Sequence, residues 1–222
     1  MRTRFHDNLD ELATRLHAMC VLDRTAVATA TQALLDADLE QAQNAITLCG
    51  RIAEMRECNE HAAVTLLALQ APVASELRQV VSALQLVADL ARMGGLANHI
   101  ARVTRLRHPA CAVPESVRPI VARMGAAAIA MATSAAAVLI SRDPDEATHL
   151  ATQDDLMDEL HRSLLDAVVA PDWSDGVTPA VDLALLAGYY ERFADHAVRV
   201  GHRTIFIATG HSPDRVATRL SA

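Results

Sequence analysis

Asp154, Asp158, Glu191 and Asp195 are the residues of this 222-residue chain whose types and spacing could do chemistry. Each pair is four places apart, so on a helix it stacks two negative charges on one face, a repulsion of about 0.2–0.5 kcal/mol per pair. If two such helices lie side by side, four carboxylates face one another across a groove, and a cation resolves the repulsion. Oxygen-rich sites suit Mg or Mn, whereas mixed carboxylate and imidazole sites in helical bundles suit Fe, Mn or Zn. His161, three places after Asp158, lies on the same helical face and is a further candidate ligand. His196 points about 100° away from Asp195 and is a poorer one. Acids at this spacing also occur on plain solvated faces, where Arg162 and Arg192 could pair with them for little gain. The pattern alone leaves both readings open.

The elements that must position these residues are helices. Apolar residues make up 51% of the chain and aromatics only 3%, with alanine prominent. Alanine and leucine are the best helix formers while strands favour aromatic and β-branched side chains, so the chain reads as all-α. Six amphipathic segments, over 3–36, 38–70, 73–106, 115–142, 144–170 and 178–209, lie between Pro, Gly and Asp breaks. The breaks are Asp36 to Asp38, "QAPVA", "RHPACAVPES", "SRDPDE" and "APDWSDGVTP", and "GHSP" supplies a Gly cap and a following Pro at the end of the sixth. Three helices, a linker and three more helices predict two tandem antiparallel three-helix bundles, 1–107 and 108–222.

The halves read as a repeat. Asp38 aligns with Asp143 and Ala42 with Ala147 at an offset of 105, and Arg92 aligns with Arg192 and Ala97 with Ala197 at an offset of 100. Asp154, Asp158, Glu191 and Asp195 then fall opposite Cys49, Ala53, Ala91 and Gly95, so the first copy lacks all four acids. Glu54, Glu57 and Glu60 remain in the second helix but on the wrong register. In the fifth helix Met157, Leu160, Leu164 and Val168 form the apolar stripe, and in the sixth Leu183, Leu186, Tyr190, Phe193 and Ala197 do so, with the acids along each edge.

A formal charge of -7 argues against a nucleic-acid surface, which needs a concentrated basic footprint. Four cysteines without a CxxC pair read as reduced thiols in a cytoplasm, and the N-terminus lacks the apolar core of a signal peptide. The uncharged stretch 124–140, mostly alanine, is short for a bilayer span and reads as a buried, close-packing helix. No phosphate-binding loop, dinucleotide fingerprint or nucleophile elbow is present, and no Gly-rich anion cradle is visible. Arg78 is expected to pair with Glu76 or a neighbouring acid, with a partner contact as the alternative. Trp173 is expected to anchor its loop.

"LLALQAPVASELRQVVSALQLVADLARMGG" at 66–95 and "YYERFADHA" at 189–197 resemble the PhoU family of phosphate-transport regulators, over essentially the whole chain. The sequence is most similar to the actinobacterial members usually called PhoY. The resemblance implies two three-helix bundles and a non-enzymatic cytoplasmic adaptor. Its partners would be the ATPase subunit of the phosphate ABC transporter and a phosphate-sensing histidine kinase, and it would hold back uptake and the starvation response. It also implies that an [E/D]xxxD motif in each half holds iron or zinc, or magnesium and manganese. Here the motif carries over to Glu191 and Asp195, with Asp154 and Asp158 before them, so one metal site is expected, in the second bundle. Whether the chain forms a homodimer stays open. The competing reading is a ferritin-like dimetal enzyme or metal store, which needs two Glu-x-x-His motifs. Asp158 and His161 imitate one, but Glu191 is followed three places on by Ala194.

Overall fold

The structure, a computed structural model, describes residues 2–211. Six helices fill it: α1 Arg2–Asp36, α2 Leu39–Gln70, α3 Ala74–Arg107, α4 Arg118–Ser141, α5 Pro144–Val169 and α6 Val177–Thr209, with no strand among the described residues. The breaks fall where the sequence places them. Asp38 and Asp143, aligned in the repeat, are both N-caps, accepting hydrogen bonds from the Gln41 amide at 3.0 Å and the Asp145 amide at 2.9 Å. Gly210 ends α6 at φ 74°, as expected, whereas the Pro213 stop lies outside the described residues. The fourth helix begins at 118 rather than 115, because Pro114 to Val117 closes a turn first, the Val117 amide reaching the Pro114 carbonyl at 3.2 Å.

α1, α2 and α3 form one three-helix bundle and α4, α5 and α6 the other. The bundles meet through two further pairings, α1 with α4 and α3 with α6, leaving α2 and α5 on the outside. One hydrophobic core runs through all six helices, from Leu16, Met19 and Leu86 to Met131, Leu160 and Phe193. α3 and α4 are apolar and long enough to cross a membrane by composition, yet each serves as a core helix. The 124–140 stretch is the buried, close-packing helix expected: Met124, Ala128, Met131, Ala132 and Ala135 are fully buried.

α1 and α4 approach closely because Gly125 carries no side chain. A Cβ there would lie 2.2 Å from Cγ2 of Thr31, whose hydroxyl is held by the Tyr190 hydroxyl of α6 at 2.8 Å. Thr31 can swing aside only by giving up that buried bond. Gly125→Ala is therefore expected to destabilise the fold by about 2 kcal/mol, as overpacking in a core does, despite alanine's better helix propensity. Urea unfolding checks this, and Thr31→Ser, which removes the clashing methyl, is expected to restore part of the loss.

Candidate metal centre

α5 and α6 run antiparallel, with Gly201 of α6 packed on Leu150 and Ala147 of α5. Met157, Leu160 and Leu164 of the α5 stripe are buried and Val168 half-buried, while Leu183, Leu186, Tyr190, Phe193 and Ala197 of α6 are all buried. Asp154, Glu191 and Asp195 lie half-buried along the edges of these stripes, and Asp158 is exposed. The four acids act as one electrostatic cluster. Burial, then the negative charges of Asp158, Asp195, Glu191 and Asp155, push the Asp154 carboxyl up to about 6. Glu191 is also raised, by burial first and then by Asp195, with His161 and Arg192 pulling it back and Asp158 adding to the rise. The helix pairing thus places Asp158, Glu191 and Asp195 within electrostatic reach of Asp154, and His161 within reach of Glu191. Among the described residues no three His, Cys, Asp or Glu side chains close around one point as ligands, so the carboxylates gather without converging. By type, carboxylates with an imidazole are the donors that hard or borderline divalent cations take, and every charge that shifts Asp154 is negative.

The counterpart in the first bundle is an open groove of about 360 Å³ between α2 and α3, lined among others by Cys49, Ala53, Ala91 and Gly95. These are the four positions the repeat sets against the four acids. Glu54, Glu57 and Glu60 do not line it, and Glu60 pairs instead with Arg56 at 2.8 Å. The buried Cys49 thiol is pushed up to about 12, by burial and then by Asp23, so it offers no thiolate at neutral pH.

The PhoU domain pattern matches this chain twice, over residues 16–104 and 121–204. The chain belongs to the PhoU family. It is 49% identical over 213 residues to a protein of Mycobacterium tuberculosis named phosphate-specific transport system accessory protein PhoU homolog 2, covering 96% of this chain and all of the relative. PhoU homolog 1 of the same organism is 50% identical over 220 residues, covering 98% of this chain and all of that one. The crystal structure of PhoU from Pseudomonas aeruginosa superposes with a TM-score of 0.83 at 26% identity, over 93% of this chain and all of the other. The two matched stretches are the two three-helix bundles, as the resemblance implies.

Sequence reasoning missed the polar contacts that join the two PhoU repeats. Asp89 of α3, 4% exposed, accepts a hydrogen bond from Nδ1–H of His196 at 3.0 Å and another from Nε–H of Arg203 at 2.5 Å. Toward the other end of α3, Arg107 grips the buried Asp182 of α6 through Nε at 2.5 Å and Nη2 at 3.0 Å. His196 is thus committed to α3 rather than to the acids of α5, in keeping with its angle from Asp195. A signal was present: Asp89 and Asp182 are lone acids within apolar runs, where an unpaired charge is costly.

Arg78 does not pair with Glu76 as expected. Residues two apart point to different sides of a helix, and Glu76 lies 3.9 Å from Nε2 of His6 instead. The Arg78 guanidinium packs 5.9 Å from the Phe206 ring centroid and against Gly210, at the carbonyl end of α6, where a cation is favoured. Trp173 anchors its loop as expected, its Nε1–H donating to the Gly176 carbonyl at 2.8 Å.

Proposed function

We propose that this chain is a cytoplasmic accessory regulator of phosphate transport. It acts by contact with the ATPase subunit of a phosphate ABC transporter and with a phosphate-sensing histidine kinase, restraining uptake and the starvation response when phosphate is plentiful. The observation that carries this reading is the near full-length likeness to the two M. tuberculosis proteins named for phosphate-specific transport. The ferritin-like alternative is disfavoured by Ala194, which stands where a histidine would follow Glu191 and is fully buried in the α6 stripe.

The metal is the finer part of the proposal. Asp154, Asp158, Glu191 and Asp195, with His161, hold an Fe, Zn, Mn or Mg ion that offsets their repulsion and fixes α5 against α6. The surface shown to partners then depends on whether the cation is bound. A resident cation at a hundred times its Kd adds about 2.7 kcal/mol to stability. Protein purified without chelator is expected to carry the metal on elemental analysis. Glu191→Ala combined with Asp195→Ala is expected to lose the metal and its stabilisation, and to capture less ATPase subunit and kinase in pull-downs. Equal metal content and equal capture by the double variant would remove the site from the mechanism.

A further inference from the structure

On the other flank of α6, facing α3, lies a second open groove of about 360 Å³, lined by Arg92, Leu96, His99, Tyr189, Arg192 and His196, with Gly95 between. In a protein of net charge -7, two guanidiniums and two imidazoles line this groove and no carboxylate does. The antiparallel crossing of the repeats explains the concentration, because Arg92 and Arg192 are the same position in each half and the crossing brings both to one place.

Neither arginine has a carboxylate within ion-pair distance among the described residues, although Arg15, Arg56, Arg107, Arg118 and Arg203 each have one. Arg192 donates Nε–H to the Gly188 carbonyl at 2.9 Å and lies 5.6 Å from the Tyr189 ring centroid, which leaves its two terminal nitrogens free. Tyr189 in turn stacks on His99, centroids 5.1 Å apart and planes 23° apart, so one wall is built before any ligand arrives. His196 is held at the groove wall by the hydrogen bond of its Nδ1 to Asp89. Gly95 supplies the remaining space: a Cβ there would meet nothing within 4 Å. Its repeat counterpart is Asp195, so the first repeat lacks an acid at the position where one would repel an anion.

We propose that this groove binds a small phosphoanion, its phosphoryl dianion held between the Arg92 and Arg192 guanidiniums. Two fixed positive charges match a dianion, and forked guanidiniums suit its oxygens. The volume leaves room for more than a single phosphate. The phosphoryl group could come from free inorganic phosphate or from a larger phosphorylated molecule, for which pyrophosphate is the probe. The site does not rest on the cation centre, and its failure would leave the regulatory reading standing.

The test is calorimetric titration of the full chain with inorganic phosphate and, separately, with pyrophosphate, at fixed ionic strength and with chelator present so that no metal bridges the ligand. Saturable binding of one ligand per chain is expected for at least one probe. A preference for pyrophosphate assigns the larger source, and equal or weaker pyrophosphate binding assigns free phosphate. Arg92→Ala combined with Arg192→Ala is expected to weaken binding about tenfold or more, the loss of charge-assisted hydrogen bonds. Gly95→Asp, which fits the open space, is expected to weaken it comparably, while thermal unfolding shows both variants folded. No saturable binding of either probe, or binding that both variants leave unchanged, overturns the proposal.

Discussion

Replacing Asp89 with alanine is expected to lower the stability of the folded chain at pH 7 by about 3 kcal/mol, in the range for breaking one side of a buried ionic contact. The carboxylate is buried, and its loss strands His196 on α6 without its α3 partner and leaves Arg203 only the neutral Gln85 side-chain carbonyl of α3. Burial alone would raise the Asp89 pKa, but the hydrogen bonds from His196 and Arg203 outweigh it and hold the carboxyl below the usual range. A depressed carboxyl contributes stability that is present above its unfolded pKa of about 3.9 and lost as pH falls through the native value. The deficit of Asp89→Ala should therefore be full at neutral pH and shrink below about pH 4. Urea unfolding at pH 7 and at pH 3.5 measures both. A variant as stable as wild type at pH 7 would show that the clasp contributes nothing net.

Asp23→Asn is expected to have the opposite sign. Asp23 lies on the inward face of α1 beside Met19, Cys20, Ala26 and Val27, fully buried, and neither of its oxygens has a hydrogen-bond partner. Burial pushes its carboxyl well above the usual range, and its charge helps to raise the thiols of Cys20 and Cys49. A raised carboxyl contributes stability that is full below the unfolded pKa and lost as pH rises, at about 1.4 kcal/mol per pH unit until the native value is passed. Asparagine keeps the shape and never charges. The variant should gain on wild type steadily from pH 4 to pH 8, ending about 2 kcal/mol or more ahead, as relief of an uncompensated buried charge implies. Parallel stability curves for the two proteins over that range would mean that the carboxyl already has an escape from burial.

The helices were legible because their signals are local. Asp38 and Asp143 cap, Pro72 and Pro144 interrupt, Gly210 stops, and apolar periodicity marks the face that turns inward. The neighbourhood of the acids was legible for a related reason: consecutive helices joined by a short loop must pack antiparallel, so Asp154 and Asp158 lie within electrostatic reach of Glu191 and Asp195 without converging on one point. Periodicity says that a side chain faces the interior but not which distant helix it finds there. Asp89 with His196 and Arg203, Arg107 with Asp182, and Thr31 with Tyr190 all depend on how one bundle seats on the other. The arginine groove was hidden likewise, since Arg92 and Arg192 become neighbours only through the crossing of α3 and α6.

The continuous core makes the two repeats partners in the way that subunits are. α1 and α3 press against α4 and α6 as two copies of one small protein would across an isologous face, with segment 108–117 as the tether. A tether that short holds the halves together at millimolar effective concentration or above, so the shared face needs little affinity of its own. Joining also frees the halves to differ. In a pair built from one repeated chain every residue must serve both sides of the axis, whereas here Cys49, Ala53, Ala91 and Gly95 can differ from their counterparts Asp154, Asp158, Glu191 and Asp195. The covalent link thus gives the pseudo-dimer two unlike faces, one with acids at the four matched positions and one without them, a division of labour that two identical chains cannot reach.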